Sequence, residues 1–198
     1  LGKSLVELEE ICEINNLPKF HGQQLFTWIY NRQNLDIGSM SNIPDKLKSI
    51  ILNKYKIKAL VIEKKLISKE DDTIKYLFRT TDDKLIESVS MVERHRHTIC
   101  ISSQIGCSVD CSFCATGRMG IIRNLDTGEI IEQIIMILKD REIPVTNIVF
   151  MGMGEPFLNY DNVIKASDIF SDSLGFNLST KKITISTSGI IPKIKKYI

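Results

Sequence analysis

A chain of 198 residues, 43% hydrophobic and 25% charged, carries enough apolar material for an ordinary core and excludes a disordered or fibrous class. Its formal net charge of +2 excludes a wholesale basic surface, so any nucleic-acid contact has to rest on local patches. No run of about 18 uninterrupted apolar residues occurs, which excludes an ordinary membrane-spanning helix.

From Leu5 to about Tyr55 the pattern predicts helices. Leu5, Leu8, Ile11 and Cys12 recur at helical spacing, as do Phe20, Leu25, Trp28 and Ile29. Asn15, Asn16 and Pro18 separate these two segments, and Ile43-Pro44 opens a third with Leu47, Ile50 and Ile51. The period then changes: residues 58–67, 73–79 and 84–91 are short runs rich in Ile, Val, Leu and Tyr, separated by Asp71-Asp72 and Asp82-Asp83, and predict an antiparallel meander. Residues 94–97, Arg-His-Arg-His, read as a polar linker.

Beyond Thr98, strands alternate with helices. Residues 99–103 predict a strand, and Asp126 with Glu129 forms a capping box for a helix striped with Ile130, Ile131, Ile134, Ile135, Ile137 and Leu138. Residues 147–151 read as a strand whose last four positions, Ile-Val-Phe-Met, are continuously apolar, as in a strand buried on both faces. A helix over 161–171, a strand over 182–186 and a helix from Ile191 complete three parallel β/α units. The predicted division is 1–56 helical, 57–97 meander and linker, and 98–198 the β/α core.

Three cysteines, Cys107, Cys111 and Cys114, stand in a C-x3-C-x2-C run after the first strand of this series. No fourth cysteine follows at ligand distance. A closed structural zinc site takes four ligands, whereas three thiolates on a four-iron cluster leave one iron open to a small molecule. A zinc site completed by His95 or His97, or three buried structural thiols, remain the alternatives. Phe113 is placed to shield a cluster from water. An odd count of five cysteines, three of them clustered, argues against a secreted disulfide framework and predicts a cytoplasmic protein. The glycines of 151–156, Met-Gly-Met-Gly-Glu-Pro, permit close approach of a ligand to backbone, and Glu155 suits a cationic amine, with a plain glycine turn as the competing reading. Ser186-Thr187-Ser188-Gly189 ends the third strand in the equivalent place, where its hydroxyls suit a ribose or carboxylate or simply cap the next helix. Cys100 read alone is a small buried hydrophobe, and Glu87 a solvated strand carboxylate.

The run 100–107 (Cys-Ile-Ser-Ser-Gln-Ile-Gly-Cys), the cysteine triplet, Gly152 to Pro156 and Ser186 to Gly189 together resemble the RlmN family of radical S-adenosylmethionine (SAM) methyltransferases, which act on adenosine C2 in large-subunit ribosomal RNA and in tRNA. The segment 18–24 with Trp28 resembles that family's helical accessory domain. The resemblance implies an α/β fold: a partial (β/α) radical-SAM barrel, its first three units preceded by a small helical plus antiparallel β accessory domain. It implies a [4Fe-4S] cluster on Cys107, Cys111 and Cys114, and SAM bound by Gly154, Glu155 and Ser186. Glu87 is then the proton acceptor and Cys100 the resolving thiol, with a disulfide bond as part of the chemistry. In that chemistry one SAM methylates a cysteine near the C-terminus, and a second, reductively cleaved at the open iron, initiates the radical steps. RNA substrates, an electron donor such as flavodoxin or ferredoxin, and a monomer are implied as well. The related Cfr enzymes, which methylate C8, share most of these motifs. The chain opens without an initiator Met, has three of about six β/α units and lacks the downstream cysteine, so a fragment of a longer protein, inactive alone, is expected. A zinc-dependent RNA-binding module, with lysines 181, 182, 193, 195 and 196 touching RNA, is the non-enzymatic alternative.

Overall fold

The computed structural model describes all 198 residues. Three helices lead: α1 (Leu5–Ile14), α2 (Phe20–Phe26) and α3 (Asp45–Lys54). Ser4 opens α1 with a capping box, its hydroxyl accepting from the Glu7 N–H while the Glu7 carboxylate accepts from the Ser4 N–H. A π-turn over Thr27–Asn31 continues α2 and carries Trp28 and Tyr30.

The strands β1 (Leu60–Ile67), β2 (Asp72–Thr80), β3 (Leu85–Glu93), β4 (Arg96–Cys100), β7 (Asn147–Phe150) and β8 (Ile183–Ile185) form one sheet in the order β1-β2-β3-β4-β7-β8. β1 to β4 are antiparallel, and β4, β7 and β8 are parallel, so β4 is the strand at which the two patterns meet. Between β4 and β7 lie the short antiparallel pair β5 (Gln104–Gly106) and β6 (Ile121–Asn124), then α4 (Thr127–Arg141). The helices α5 (Tyr160–Ser171) and α6 (Ile191–Tyr197) follow β7 and β8. The capping box at Asp126 and Glu129 is formed, and the isoleucine stripe of α4 is buried.

The linker expected at 94–97 is instead a tight hairpin, a first correction. Arg94 turns with φ +53° and the chain re-enters the sheet at once, pairing Val92 with His97 and Glu93 with Arg96. Polar residues hold this strand because ladder bonds do not depend on side-chain type and because His97, though buried, has partners on both ring nitrogens, the Ser90 hydroxyl at 2.8 Å and the Ile143 carbonyl at 3.1 Å. The boundary expected at 97/98 therefore falls inside β4.

Strand alternation gives the sheet two unlike faces. Ile74, Tyr76, Phe78, Ile86, Ile99, Ile148 and Phe150 are buried on the face that α4 and α5 cover. Glu87, Val89, Cys100 and Val149 fall on the opposite face and are only half-buried. The N-terminal helices pack outside α5 through a chain of rings, Phe26 to Tyr30 at 4.7 Å, Tyr30 to Phe176 at 6.4 Å and Phe176 to Phe170 at 5.3 Å. The Asn31 side chain also donates to the Gly175 carbonyl at 3.0 Å. One core of 35 buried residues thus runs through all three expected segments. No helix is long and apolar enough to cross a membrane.

Candidate SAM and cluster site

The parallel strands β4, β7 and β8 point their carboxyl ends toward one side, and three loops gather there, as in other β/α folds. The first is the cysteine loop. It does not hang freely from β4: β5 and β6 zip its base, and the Cys107 N–H donates to the Gly120 carbonyl at 3.0 Å. Cys107 is buried, while Cys111 and Cys114 are half-buried. The Gly117 backbone N–H beside Cys114 favours its thiolate, and despite some burial its pKa lies below the ordinary thiol value. Phe113 is 91% exposed but lines the cleft beside the three cysteines.

A cleft of about 390 Å³ is lined by Cys107, Cys111 and Cys114 together with Gly154, Glu155 and Ser186. The structure therefore brings together all six residues that the resemblance assigned to cluster and SAM. No three His, Cys, Asp or Glu side chains converge on a single point as ligands of one metal ion would. A four-iron cluster does not ask for that, because each thiolate takes a different iron. Three unpaired thiols on one cleft, one of them biased toward thiolate, fit such a cluster.

Glu155 ends the second loop and is 4% exposed. Its Oε1 accepts from the Phe157 N–H at 2.9 Å and the Thr187 hydroxyl at 2.7 Å, and its Oε2 accepts from the Ser188 N–H at 2.7 Å. Burial pushes its pKa up, but these donors outweigh burial and leave it below the usual carboxylate value. A carboxylate has about four lone-pair positions. Three are taken by these bonds and the Ser188 side chain also lies close, so a ligand cation facing the carboxylate would share it with Ser188.

Glu87 and Cys100 do not line this cleft. Cys100 sits opposite Val89, so Glu87 is its diagonal neighbour on the half-open sheet face. The Glu87 carboxylate is ion-paired to Lys75 at 2.7 Å. Burial raises the Cys100 thiol, with the backbone of Met151, a cleft residue, opposing. The disulfide implied by the resemblance is not formed: all five cysteines are free, and Cys12, the other thiol outside the triplet, is fully buried among the N-terminal helices.

Neither histidine can complete a zinc site with the triplet. His95 lies in the β3–β4 hairpin, at the opposite end of β4 from the cysteine loop, and both nitrogens of His97 are engaged. Of the lysines weighed for RNA, Lys193 and Lys196 lie over the Tyr160 ring at 5.0 and 4.6 Å, and Lys196 also pairs with Asp161 at 3.1 Å. Sequence reasoning missed Thr187 as a partner of Glu155 and assigned no role to Ser102, Gln104 or Asn159. The available signal was a polar triplet, Ser102-Ser103-Gln104, set between Ile101 and Ile105, which places polar groups where burial requires partners.

Comparison with known proteins agrees with this geometry. Residues 101–198 match the Radical SAM superfamily, and residues 1–57 match the family described as the ribosomal RNA large subunit methyltransferase N-terminal domain. A radical SAM methyltransferase from Sphaerobacter thermophilus superposes with a TM-score of 0.90 at 37% identity, covering 99% of this chain and 58% of that one. Fold and cleft together define a radical SAM protein. A probable dual-specificity RNA methyltransferase RlmN from Clostridium botulinum (strain Okra / Type B1) is 40% identical over 196 residues, and one from Alkaliphilus oremlandii is 43% identical over 195. Over 98–99% of its length the chain is similar to these RlmN proteins, and it spans 57% of their length.

Proposed function

We propose that this chain is the cluster- and SAM-binding part of a methyltransferase acting on C2 of an adenosine in large-subunit ribosomal RNA and in tRNA, through a methyl-cysteine mechanism. The single observation that carries the reading is the shared cleft of Cys107, Cys111 and Cys114 with Gly154, Glu155 and Ser186. The relatives' printed name, dual-specificity RNA methyltransferase, supports the RNA substrates.

Cys107, Cys111 and Cys114 would hold a [4Fe-4S] cluster, which when bound supplies the electron for reductive cleavage of SAM. The rest falls to the protein. Glu155 offers its carboxylate to the SAM ammonium, and Ser186, lining the same cleft, offers its hydroxyl to the ribose or carboxylate. Glu87, ion-paired to Lys75 on the half-open sheet face, is the proton acceptor. Cys100, held as a neutral thiol on the same face, is the resolving cysteine. The methyl-carrying cysteine is not Cys12, which is fully buried in the helical layer, so it lies outside these 198 residues. A flavodoxin- or ferredoxin-like donor, a monomeric state and a cytoplasmic location complete the proposal.

The test is mass spectrometry of RNA treated with the anaerobically reconstituted protein. A chain extended downstream to the length of the relatives should produce 2-methyladenosine, and the 198 residues alone should produce none. Finding 8-methyladenosine instead would transfer the protein to the Cfr-like C8 reading. Stoichiometric zinc without SAM cleavage would remove the enzyme reading altogether.

A further inference from the structure

The three cleft loops come from distant stretches of sequence, yet one buried side chain stands at their junction. Gln104, the first residue of β5, is 2% exposed. Its Oε1 accepts from the Glu155 N–H at 2.8 Å, and its Nε2 donates to Asn124 Oδ1, on β6, at 2.8 Å. Its own N–H donates to the Met153 carbonyl at 3.1 Å. The backbone N–H of Glu155 can only donate, so the orientation of the Gln104 amide is settled by its partner.

The fit is steric as well as polar. Gly154 has φ +102°, and a Cβ there would come within 2.6 Å of Gln104 Cβ and 2.7 Å of its Cγ. The glycine is therefore required by the glutamine as much as by a ligand. From Glu155 the connection continues to the Thr187 hydroxyl and the Ser188 N–H. Asn124, Gln104, Glu155 and Thr187–Ser188 thus make one hydrogen-bonded line across the cysteine loop, the glycine loop and the third-strand loop. The Gln104–Glu155 bond at the centre of the line is buried and has no water to fall back on, so breaking it loosens the part-buried bonds on either side.

We propose that Gln104 is a positioning residue that ties the three cleft loops together and thereby sets the affinity of Glu155 for an ammonium-bearing ligand. The affinity clause rests on the reading of the cleft as a SAM site; the tether does not. Gln104→Met keeps the bulk against Gly154 while removing both amide bonds. The decisive readout is hydrogen exchange at the Ser188 amide, which Gln104 does not touch. Exchange there should accelerate about tenfold in the variant, with the amides of α1 unchanged, and the dissociation constant for SAM in the cluster-loaded protein should rise by a similar factor. Asn124→Ala, which removes the far anchor together with a 3.5 Å bond to the Leu158 carbonyl, should shift both readouts in the same direction by less, and serves if Gln104→Met does not fold. Unchanged Ser188 exchange in a folded variant overturns the proposal. Faster exchange in the variant, with wild-type protein that has no affinity for SAM, upholds the tether and discards the SAM reading instead.

Discussion

Glu155 illustrates how one residue serves both structure and ligand. Two of its bonds hold the third-strand loop, a third closes its own turn through the Phe157 N–H, and the carboxylate still faces the cleft, so Glu155→Ala is expected to act twice. Loss of a charge-assisted bond in a sheltered site removes about 1.5–3 kcal/mol, so SAM affinity should fall roughly ten- to a hundredfold by titration of the loaded protein, with cluster absorbance retained. Unchanged affinity would remove Glu155 from the site. The pH dependence has a definite sign. Because the folded pKa of Glu155 lies below its ordinary value of 4.5, its contribution to stability is full above that value and is lost as pH falls through the lower, folded value. Thermal unfolding at pH 7 and pH 3 should therefore differ less in Glu155→Ala than in wild type. At Cys107, Cys111 and Cys114 the expected effect is simpler: replacing any one by Ala should abolish the brown absorbance and SAM cleavage after reconstitution. A variant that retained both would exclude that thiol as a ligand.

At the scale of elements, α4 joins the helical and sheet parts through an unusual contact. Glu132 is fully buried on its inner face; Oε2 accepts from the Ala59 N–H at 2.6 Å, just before β1, and Oε1 has no partner. Burial pushes its pKa up to about 7, with the Ala59 and Leu60 N–H groups opposing. The folded state therefore binds this proton more tightly than the unfolded chain. Stability from this group is present below about 4.5 and declines as pH rises toward about 7, by up to about 1.4 kcal/mol per pH unit. Denaturant titrations between pH 4.5 and 7 should show this downward component in wild type and not in Glu132→Gln. An identical slope in both would show that the carboxyl is not desolvated.

For the whole molecule, the sheet has two unlike edges. β1 is long and carries Lys64 and Lys65, whereas β8 is a three-residue edge carrying Ile183 and Ile185. Edge strands with few charges invite pairing with another chain. The 198 residues alone are expected to self-associate with rising concentration, and Thr184→Lys, on an exposed position of β8, should reduce that association by light scattering. A concentration-independent monomer in wild type would refute the prediction.

Much of this was legible from local chemistry. The capping box and isoleucine stripe of α4, the three β/α units and the cysteine spacing are short-range patterns that residues within about fifteen positions impose on themselves. The resemblance likewise named the cleft residues. What sequence left open depends on contacts between residues far apart in the chain. Residues 94–97 looked like a linker because their polarity is visible and their ladder partners on β3 are not. The role of Gln104 rests on Glu155, 51 positions downstream, and that of Thr187 on Glu155, 32 positions upstream. A buried polar residue announces that it needs a partner, but only the tertiary structure decides which one, because chain closure, not local preference, brings the donor to the acceptor.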